Sequence, residues 1–313
     1  MRLTALALAL LLPALPAAAD DVFVGHVEAR ALVGKPNVRF VWADSEKDFS
    51  KAHIPGSVDA YAHDLHRLDD VKACQGLPMC EPHAAKLIGE DLGIDGSTEV
   101  VVYDLGPGAN ASGTWFFLKL YGVKKVRILD GGLATWTAHG GPVEAGQPAK
   151  VAAKAFTPVV DRSMIATVDE VKKATGDQAH YLILDARHTL DEYSGKTLQT
   201  ALASEDKEIT VKRGGAIPGA VFSPWSKYAG NKDGQADKPT LKDGADLQKQ
   251  LEKLKKNGYA PDKTVISYCH VGLGRGSFQY LALKQAGHQN VKVYVGSWDE
   301  WGNDPSLPLA SQP

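Results

Sequence analysis

One short segment of the 313-residue chain carries the residue types that nucleophilic chemistry needs. Cys269 closes an apolar run, and a glycine-rich loop and a helix-like segment follow it. The backbone N–H groups of such a loop, together with the helix N-terminus, stabilise an anion at the point that they surround. This favours the thiolate, which is the nucleophilic form of cysteine. We therefore predict that Cys269 is the catalytic residue, rather than an inert cysteine buried at the end of a strand.

The predicted substrate-binding residues follow Cys269 directly. Gly272 and Gly274 permit a tight loop with inward-pointing amides, and His270 and Arg275 add positive charge or hydrogen-bond donors. The whole predicted binding loop is His270, Val271, Gly272, Leu273, Gly274 and Arg275. The interval from Cys269 to Arg275 is also the Cys-x5-Arg spacing of cysteine-dependent phosphatases, in which the arginine and the loop amides bind a phosphate dianion. Phosphatase or arsenate reductase chemistry therefore stays open as an alternative.

The chain contains two related halves. Residues 100–104 (VVVYD) align with residues 265–269 (VISYC), and the alignment continues without a gap to Trp136 and Trp301. A second match pairs the Ile-Pro-Gly segments that end at Gly56 and Gly219. Asp104 therefore stands in the first half where Cys269 stands in the second. The sequence predicts that only the second half carries the reactive thiol.

The apolar pattern predicts the elements that position Cys269. Strands are predicted over residues 38–42, 99–104, 125–130, 181–186, 264–269 and 291–296. Helices are predicted over 112–121 and 277–286, and Gly122 and Gly287 stand where helices commonly end. Apolar strands that alternate with helices indicate a parallel sheet covered on both faces. We predict an α/β fold with two similar tandem domains, and Cys269 at the carboxyl edge of a sheet, where such folds bind ligands.

The N-terminus indicates export. Residues 1–19 combine Arg2, an apolar run and the small residues Ala17–Ala19, which is typical of a secretory signal peptide and too short for a membrane span. We predict a non-catalytic domain over 20–145, a linker over 146–162 and a catalytic domain over 163–313. A polar insert near 197–212 is expected to form a surface loop. The mature protein is expected to be secreted or periplasmic, with no membrane association.

Two of the three cysteines lie close together in the sequence, and the third lies far from them. Cys74 and Cys80 lie six residues apart in a loop that contains glycine and proline, and the oxidising environment of an exported protein favours a disulfide between them. Two unpaired thiols are the alternative. Cys269 has no partner in either case. His63 and His66 could suggest a metal pair, but no nearby residue completes a recognised ligand spacing, so we interpret them as solvated loop histidines and predict no metal site.

The composition limits the partners. The chain has 35 basic and 37 acidic residues, and this balance gives no electrostatic case for nucleic-acid binding. No dinucleotide-binding fingerprint or phosphate-binding loop is present. We therefore predict no cofactor, a small-molecule substrate and a monomeric protein.

At these motifs the sequence resembles the tandem-domain rhodanese family, the thiosulfate and 3-mercaptopyruvate sulfurtransferases. The resemblance covers residues 22–309. It rests on the two Ile-Pro-Gly segments, residues 184–187 (LDAR), the Cys269 loop, residues 296–303 (GSWDEWGN) and their first-half counterpart at 130–136 (DGGLATW). The family implies an inactive first domain and a catalytic second domain. Its loops read roughly Cys-Arg-Lys-Gly-Val-Thr or Cys-Gly-Ser-Gly-Val-Thr, and the loop after Cys269 matches neither.

The resemblance also implies a reaction. Cys269 would take the outer sulfur of a small anionic donor, thiosulfate or 3-mercaptopyruvate, hold it as a persulfide, and pass it to cyanide or a thiol. Arg187 matches the family's Asp-x-Arg position and would hold the donor's anionic part or form a structural salt bridge. Arg213 is a second candidate for donor binding. Trp225 and Lys227 are candidates for the cleft between the domains, although for Trp225 we favour a packing role. The alternatives are a non-enzymatic persulfide carrier or redox protein, or a phosphatase or arsenate reductase on the rhodanese fold.

Overall fold

The structure is a computed structural model that describes residues 22–198 and 211–310. The predicted signal peptide, and all but the ends of the predicted insert near 197–212, lie outside the described residues. Within the described residues, no helix is both long enough and apolar enough to cross a membrane.

Two five-stranded parallel sheets form the framework. The first contains β1 (Phe23–Val24), β2 (Val38–Trp42), β3 (Val58–Asp59), β4 (Glu99–Tyr103) and β5 (Lys125–Leu129), in the order β1-β5-β4-β2-β3. The second contains β6 (Ile165–Ala166), β7 (Tyr181–Asp185), β8 (Val221–Phe222), β9 (Thr264–Tyr268) and β10 (Val291–Tyr294), in the order β6-β10-β9-β7-β8. Every strand pair is parallel. The equivalent order confirms the predicted α/β fold with two similar domains.

Helices connect the strands in both halves. The first half has α1 (His26–Leu32), α2 (Glu46–Phe49), α3 (Leu68–Ala73), α4 (Glu81–Ala85), a π-helical turn (Lys86–Asp91), α5 (Ala109–Leu120) and α6 (Gly132–Ala138). The second has α7 (Val168–Gly176), α8 (Leu190–Ser194), α9 (Gly244–Lys255), α10 (Arg275–Gln285) and α11 (Ser297–Trp301), with 3-10 turns at Arg162–Met164 and Trp225–Lys227. Gly122 and Gly287, just past α5 and α10, both have φ of 91°, the left-handed conformation expected after a helix C-terminus.

Helices α5 and α10 join the two domains. Phe116 of α5 packs edge-to-face on Tyr280 of α10, with ring centroids 5.1 Å apart. Near the starts of the helices the backbones approach so closely that a Cβ on Gly113 would lie 2.6 Å from the Gly274 amide nitrogen. Both helices are buried on nearly all sides. This packing brings the loop before α5 against the loop before α10, and these loops contain Asp104 and Cys269.

The cysteines of the first domain are bonded to each other. A disulfide joins Cys74, at the end of α3, to Cys80, just before α4, with an S–S distance of 1.98 Å. Cys269 is a free thiol. Asp70, Cys80 and His83 place ligand-type atoms within 4.8 Å of one another, but the Cys80 sulfur is already in the disulfide and His83 Nδ1 bonds Asp70 Oδ2 at 2.9 Å.

Candidate active site

Cys269 follows β9 at the carboxyl edge of the second sheet and lines a cleft of about 270 Å³ between the domains. Only 3% of the residue is exposed. Its amide donates a hydrogen bond to Ser297 Oγ at 3.2 Å, and its carbonyl accepts one from the Trp298 amide at 3.1 Å. The segment after β10 therefore fixes the backbone of Cys269, and the thiol lies in the cleft.

The loop after Cys269 requires glycine for steric reasons. Gly272 has φ of 73°, and a Cβ there would lie 2.7 Å from the Val295 Cα. A Cβ on Gly276 would lie 3.7 Å from the Cys269 Sγ. The first residue permits the tight turn, and the second shows that the backbone at the start of α10 passes close to the sulfur.

The equivalent loop of the first domain encloses an anionic group of its own. The Asp104 carboxylate accepts hydrogen bonds from the amides of Gly106 (2.9 Å), Gly108 (3.0 Å) and Ala111 (3.1 Å). Only 2% of Asp104 is exposed. The loop and the start of α5 therefore form an anion-binding cradle, and the chain fills it with its own carboxylate.

The second domain leaves part of the same cradle open. Val271 and Gly276 correspond to Gly106 and Ala111, and their N–H groups donate no hydrogen bond to any residue that the structure describes. These two amides are available to a thiolate or persulfide on Cys269. The expectation that the loop amides all point inward is not met, because the Leu273 amide donates to the Val271 carbonyl at 2.8 Å and the Gly274 amide to Ser277 Oγ at 2.9 Å.

Of the two contributions expected of His270, positive charge or a hydrogen-bond donor, the structure supports the donor. Its Nε2 lies 3.0 Å from Glu192 Oε1, and Glu192 also caps α8. Burial lowers the pKa of His270, so the imidazole is neutral and donates to Glu192. Burial opposes ionisation of Glu192, but hydrogen bonds from His270 and Thr189 outweigh it and lower its pKa to about 2. His270 Nδ1 is buried without a hydrogen-bond partner among the described residues.

Arg275 is the cation of the predicted loop that faces the cleft. It begins α10, lines the same cavity as Cys269, and is partly exposed. Its guanidinium forms no hydrogen bond or ion pair with a residue in the described part of the chain. An arginine of this kind suits a small anion, because its planar fork of donors matches an oxyanion.

Two arginines that were candidates for donor binding are engaged elsewhere. Arg187 donates to Asp185 Oδ2 and to the Gly215 carbonyl, both at 2.6 Å, and lies over the Trp298 ring at 4.5 Å. Arg213 donates to the carbonyls of four residues near the C-terminus, namely Trp301, Gly302, Asp304 and Leu307. Neither lines the Cys269 cleft. Of the two interpretations of Arg187, the geometry supports the structural salt bridge.

The opposite wall of the cleft comes from the first domain, and the sequence did not indicate it. Its polar residues are Asp44, His63, Asp104 and Asn110. The interpretation of His66 as solvated is wrong, whereas His63 is partly exposed. His63 lines the cleft, and burial, with the charge of Arg275 nearby, lowers its pKa to about 3. His66 is 2% exposed and bonds Asp299 at 3.0 Å.

The second domain also adds Trp225 and Lys232 to the cleft. Trp225 is 7% exposed and packs edge-to-face on Phe278 at 5.3 Å, so its role includes packing. Lys232 occupies the place that was expected for Lys227, which lies outside the cleft lining. The location of these residues after the second Ile-Pro-Gly segment therefore correctly predicted a cleft position for Trp225, but not for Lys227.

Asp44 and Asp104 predict a pH dependence of anion binding. Burial, and then the nearby Asp44 charge, raises the pKa of Asp104 to about 7, and burial also raises the pKa of Asp44. As pH rises through 7, this wall gains negative charge, whereas His63, with a pKa of about 3, is already neutral. We expect thiosulfate to bind the Cys269→Ala variant about fivefold more weakly at pH 8.5 than at pH 5.5, a cost of about 1 kcal/mol. Isothermal titration measures both affinities.

The matched control adds Asp104→Asn in the same Cys269→Ala background. Asparagine keeps an oxygen for the loop amides but cannot ionise, so we expect a smaller fall in affinity between pH 5.5 and 8.5, with only Asp44 of the pair left to gain charge. An unchanged pH dependence in this double variant would assign the effect to other groups.

A model of the rhodanese-like domain matches residues 26–139 and 167–304, one match in each half of the chain. The chain belongs to the rhodanese family. A thiosulfate sulfurtransferase of Pseudomonas aeruginosa is 31% identical, over 88% of this chain and 92% of that protein. The sulfur carrier protein TtuD of Thermus thermophilus is 35% identical, over 74% of this chain and 77% of that protein.

A solved structure agrees with this assignment. The 3-mercaptopyruvate sulfurtransferase SseA of Escherichia coli is 26% identical, with a TM-score of 0.67, over 89% of this chain and 99% of that one. The chain is therefore a tandem-domain rhodanese, and its enzyme class is sulfurtransferase.

Proposed function

We propose that this rhodanese transfers the outer sulfur of thiosulfate to cyanide or a thiol through a persulfide on Cys269, with 3-mercaptopyruvate as the alternative donor. The observation that carries the proposal is the comparison of the two cradles. The loop amides of the first domain already hold the Asp104 carboxyl group, whereas the corresponding amides of Val271 and Gly276 have no partner among the described residues and the Cys269 thiol is free.

The proposed reaction has two steps. In the first, the Cys269 thiolate attacks the outer sulfur of thiosulfate, the S–S bond of the donor breaks, and sulfite leaves with the electron pair. In the second, cyanide attacks the outer sulfur of the persulfide, and thiocyanate leaves while the thiolate is restored. In this proposal the amides of Val271 and Gly276 stabilise the anion on sulfur in both states, and Arg275 binds the sulfonate end of the donor.

The Cys-x5-Arg alternative is supported by one observation. Arg275 and Cys269 line the same cleft, as a phosphatase would need. The cradle favours sulfur transfer, because the Leu273 and Gly274 amides are used inside the loop and cannot surround a phosphate dianion. A non-enzymatic persulfide carrier would form the same intermediate and would differ only in turning over slowly with free acceptors.

A paired assay tests the proposal. We expect the purified protein to form thiocyanate from thiosulfate and cyanide over many turnovers, and to release no phosphate from p-nitrophenyl phosphate. Phosphate release without thiocyanate would support the phosphatase alternative. A single turnover of sulfur per protein would support the carrier.

We also propose that the protein acts outside the cytoplasm. Residues 1–19 support this proposal by their sequence pattern, and a disulfide between Cys74 and Cys80 suits an oxidising compartment. Cell fractionation, with N-terminal sequencing of the recovered protein, checks it: cleavage before Asp20 is expected, and an intact Met1 in the cytoplasm would contradict it.

A further inference from the structure

A second cleft lies between the domains, at the other end of α5 and α10 from Cys269. Its volume is about 770 Å³, within the range of organic-ligand sites. Trp115 and Lys119 of α5, Tyr280 and Lys284 of α10, and the start of β5 form its walls. It shares no lining residue with the Cys269 cleft. Lys284 is nine residues from the start of α10, which places it about 14 Å along the helix from the active-site loop.

The polar part of this second cleft is strongly basic. Its cationic side chains are Lys119, Lys124, Lys125, Arg127 and Lys284, against one carboxylate, Glu99. Arg127 is neutralised by Glu28 at 2.6 Å and Glu99 at 2.5 Å. Lys124 and Lys125 are exposed and form no ion pair with any residue that the structure describes. A surplus of positive charge therefore remains, although the whole chain has a net charge of −2.

The floor of the same cleft is apolar. Trp115 and Tyr280 are 7% and 6% exposed, and Val126 and Leu281 lie beside them. The Trp115 indole donates to the Val126 carbonyl at 3.0 Å, so its ring is held in place and needs no polar partner from a ligand. A ligand that fits both parts has an aromatic ring for the floor and two or more negative charges for the lysines.

The charge surplus is not a general result of the duplicated fold. A neighbouring cleft of about 390 Å³ shares Trp115, Lys119, Tyr280 and Lys284 but uses the start of β10 in place of β5. At that strand start the chain has Asn290, and Lys292 is paired with Glu170 at 2.7 Å. Asp161 adds a carboxylate to that lining. Of these two clefts, the one beside β5 combines the two rings with lysines 124 and 125, which form no ion pair with a described residue.

We propose that this basic cleft is a binding site for a small organic polyanion that carries an aromatic ring. The site is independent of the proposed sulfur transfer. Because the ligand would contact both α5 and α10, it would also stabilise the packing of one domain on the other, and its binding should raise the thermal midpoint of unfolding.

Isothermal titration with magnesium-free ATP tests the proposal, with pyrophosphate and adenosine as half-probes. We expect one saturable ATP site per chain, at least tenfold tighter than either half-probe, and a rise in the unfolding midpoint with ATP. Absence of saturable binding at 1 mM ATP would overturn the proposal. If pyrophosphate bound as tightly as ATP, the aromatic ring would contribute nothing and that part of the proposal would be wrong. If adenosine bound as tightly as ATP, the negative charges would contribute nothing and the polyanion site would be wrong.

Paired charge variants locate the site. We expect Lys124→Gln/Lys125→Gln to weaken ATP binding at least tenfold, because two unpaired charges are lost. The control Lys249→Gln/Lys255→Gln removes the same charge from exposed lysines of α9 and should bind within twofold of the unmodified protein. If both double variants bound ATP equally weakly, the loss of affinity would come from the lower net charge of the protein, and the proposed site would be wrong. ATP should also leave the alkylation rate of Cys269 by iodoacetamide unchanged, since protection would place ATP in the other cleft.

Discussion

Replacing Cys269 by serine is expected to lower thiocyanate formation by at least about a thousandfold, as removal of a catalytic nucleophile does elsewhere. Serine preserves the size of the side chain, but its oxygen cannot carry sulfane sulfur. Mass spectrometry after thiosulfate treatment should show one added sulfur atom on the unmodified protein and none on Cys269→Ser. The unfolding midpoint should change by no more than a few degrees, because the backbone contacts of residue 269 to Ser297 and Trp298 remain.

The control for this result is Cys74→Ala/Cys80→Ala. These are the other two cysteines of the chain, and the structure joins them in a disulfide. We expect the double variant to lose stability, since a cross-link of the unfolded chain is removed, and still to gain one sulfur atom at Cys269. Failure of the unmodified protein to gain sulfur from either thiosulfate or 3-mercaptopyruvate would contradict the persulfide mechanism.

The sequence was sufficient for the fold because the repeat and the apolar runs agree. β4 and β9 lie in the middle of their sheets and are buried on both faces, so apolar residues dominate both, although β9 also contains Ser267. Because the matched stretches of the two halves align in sequence without a gap, the same strand order was expected in both. Where strands are only two residues long, as in β3 and β8, the apolar pattern is too short to detect, and none was predicted there.

The sequence identified only one wall of the candidate site. Arg275 begins the helix that directly follows the Cys269 loop, so the short spacing along the chain is sufficient to place the two residues together. Asp44, His63 and Asn110 reach the same cleft only because α5 packs against α10, and no local pattern encodes that contact. The sequence also did not indicate the cradle around Asp104, because the three amides that bond its carboxyl group belong to the backbone.

Arg187 shows why a motif position can suggest the wrong role. Arginine suits both a bound anion and a buried carboxylate, and the residue two positions before it, Asp185, is a carboxylate on β7. In the structure Asp185 is fully buried and bonds Arg187 through both its oxygens. The guanidinium also lies over Trp298, from the segment after β10. The role of Arg187 is therefore decided by the burial of Asp185 and by the Trp298 ring, which lies more than a hundred residues away in the sequence.

Replacing Arg187 by methionine is therefore expected to act on stability. The change leaves the Asp185 carboxylate buried without its cation, and loss of one partner of a buried ion pair costs about 3–5 kcal/mol. The double variant Asp185→Asn/Arg187→Met should recover part of that loss, because neither charge of the pair is then left unpaired in the interior. Urea unfolding of both variants measures the two free energies of unfolding.

Arg187→Lys separates the structural role from donor binding. Lysine keeps the charge but lacks the planar fork that bonds Asp185 and the Gly215 carbonyl, so the free energy of unfolding should fall while the KM for thiosulfate stays within about twofold. Arg275→Lys is the matched variant inside the Cys269 cleft, and it should raise the KM for thiosulfate with little change in stability, because Arg275 bonds no described residue. If Arg187→Lys raised the KM tenfold at unchanged stability, the donor-binding role implied by the family motif would be correct and the structural role wrong.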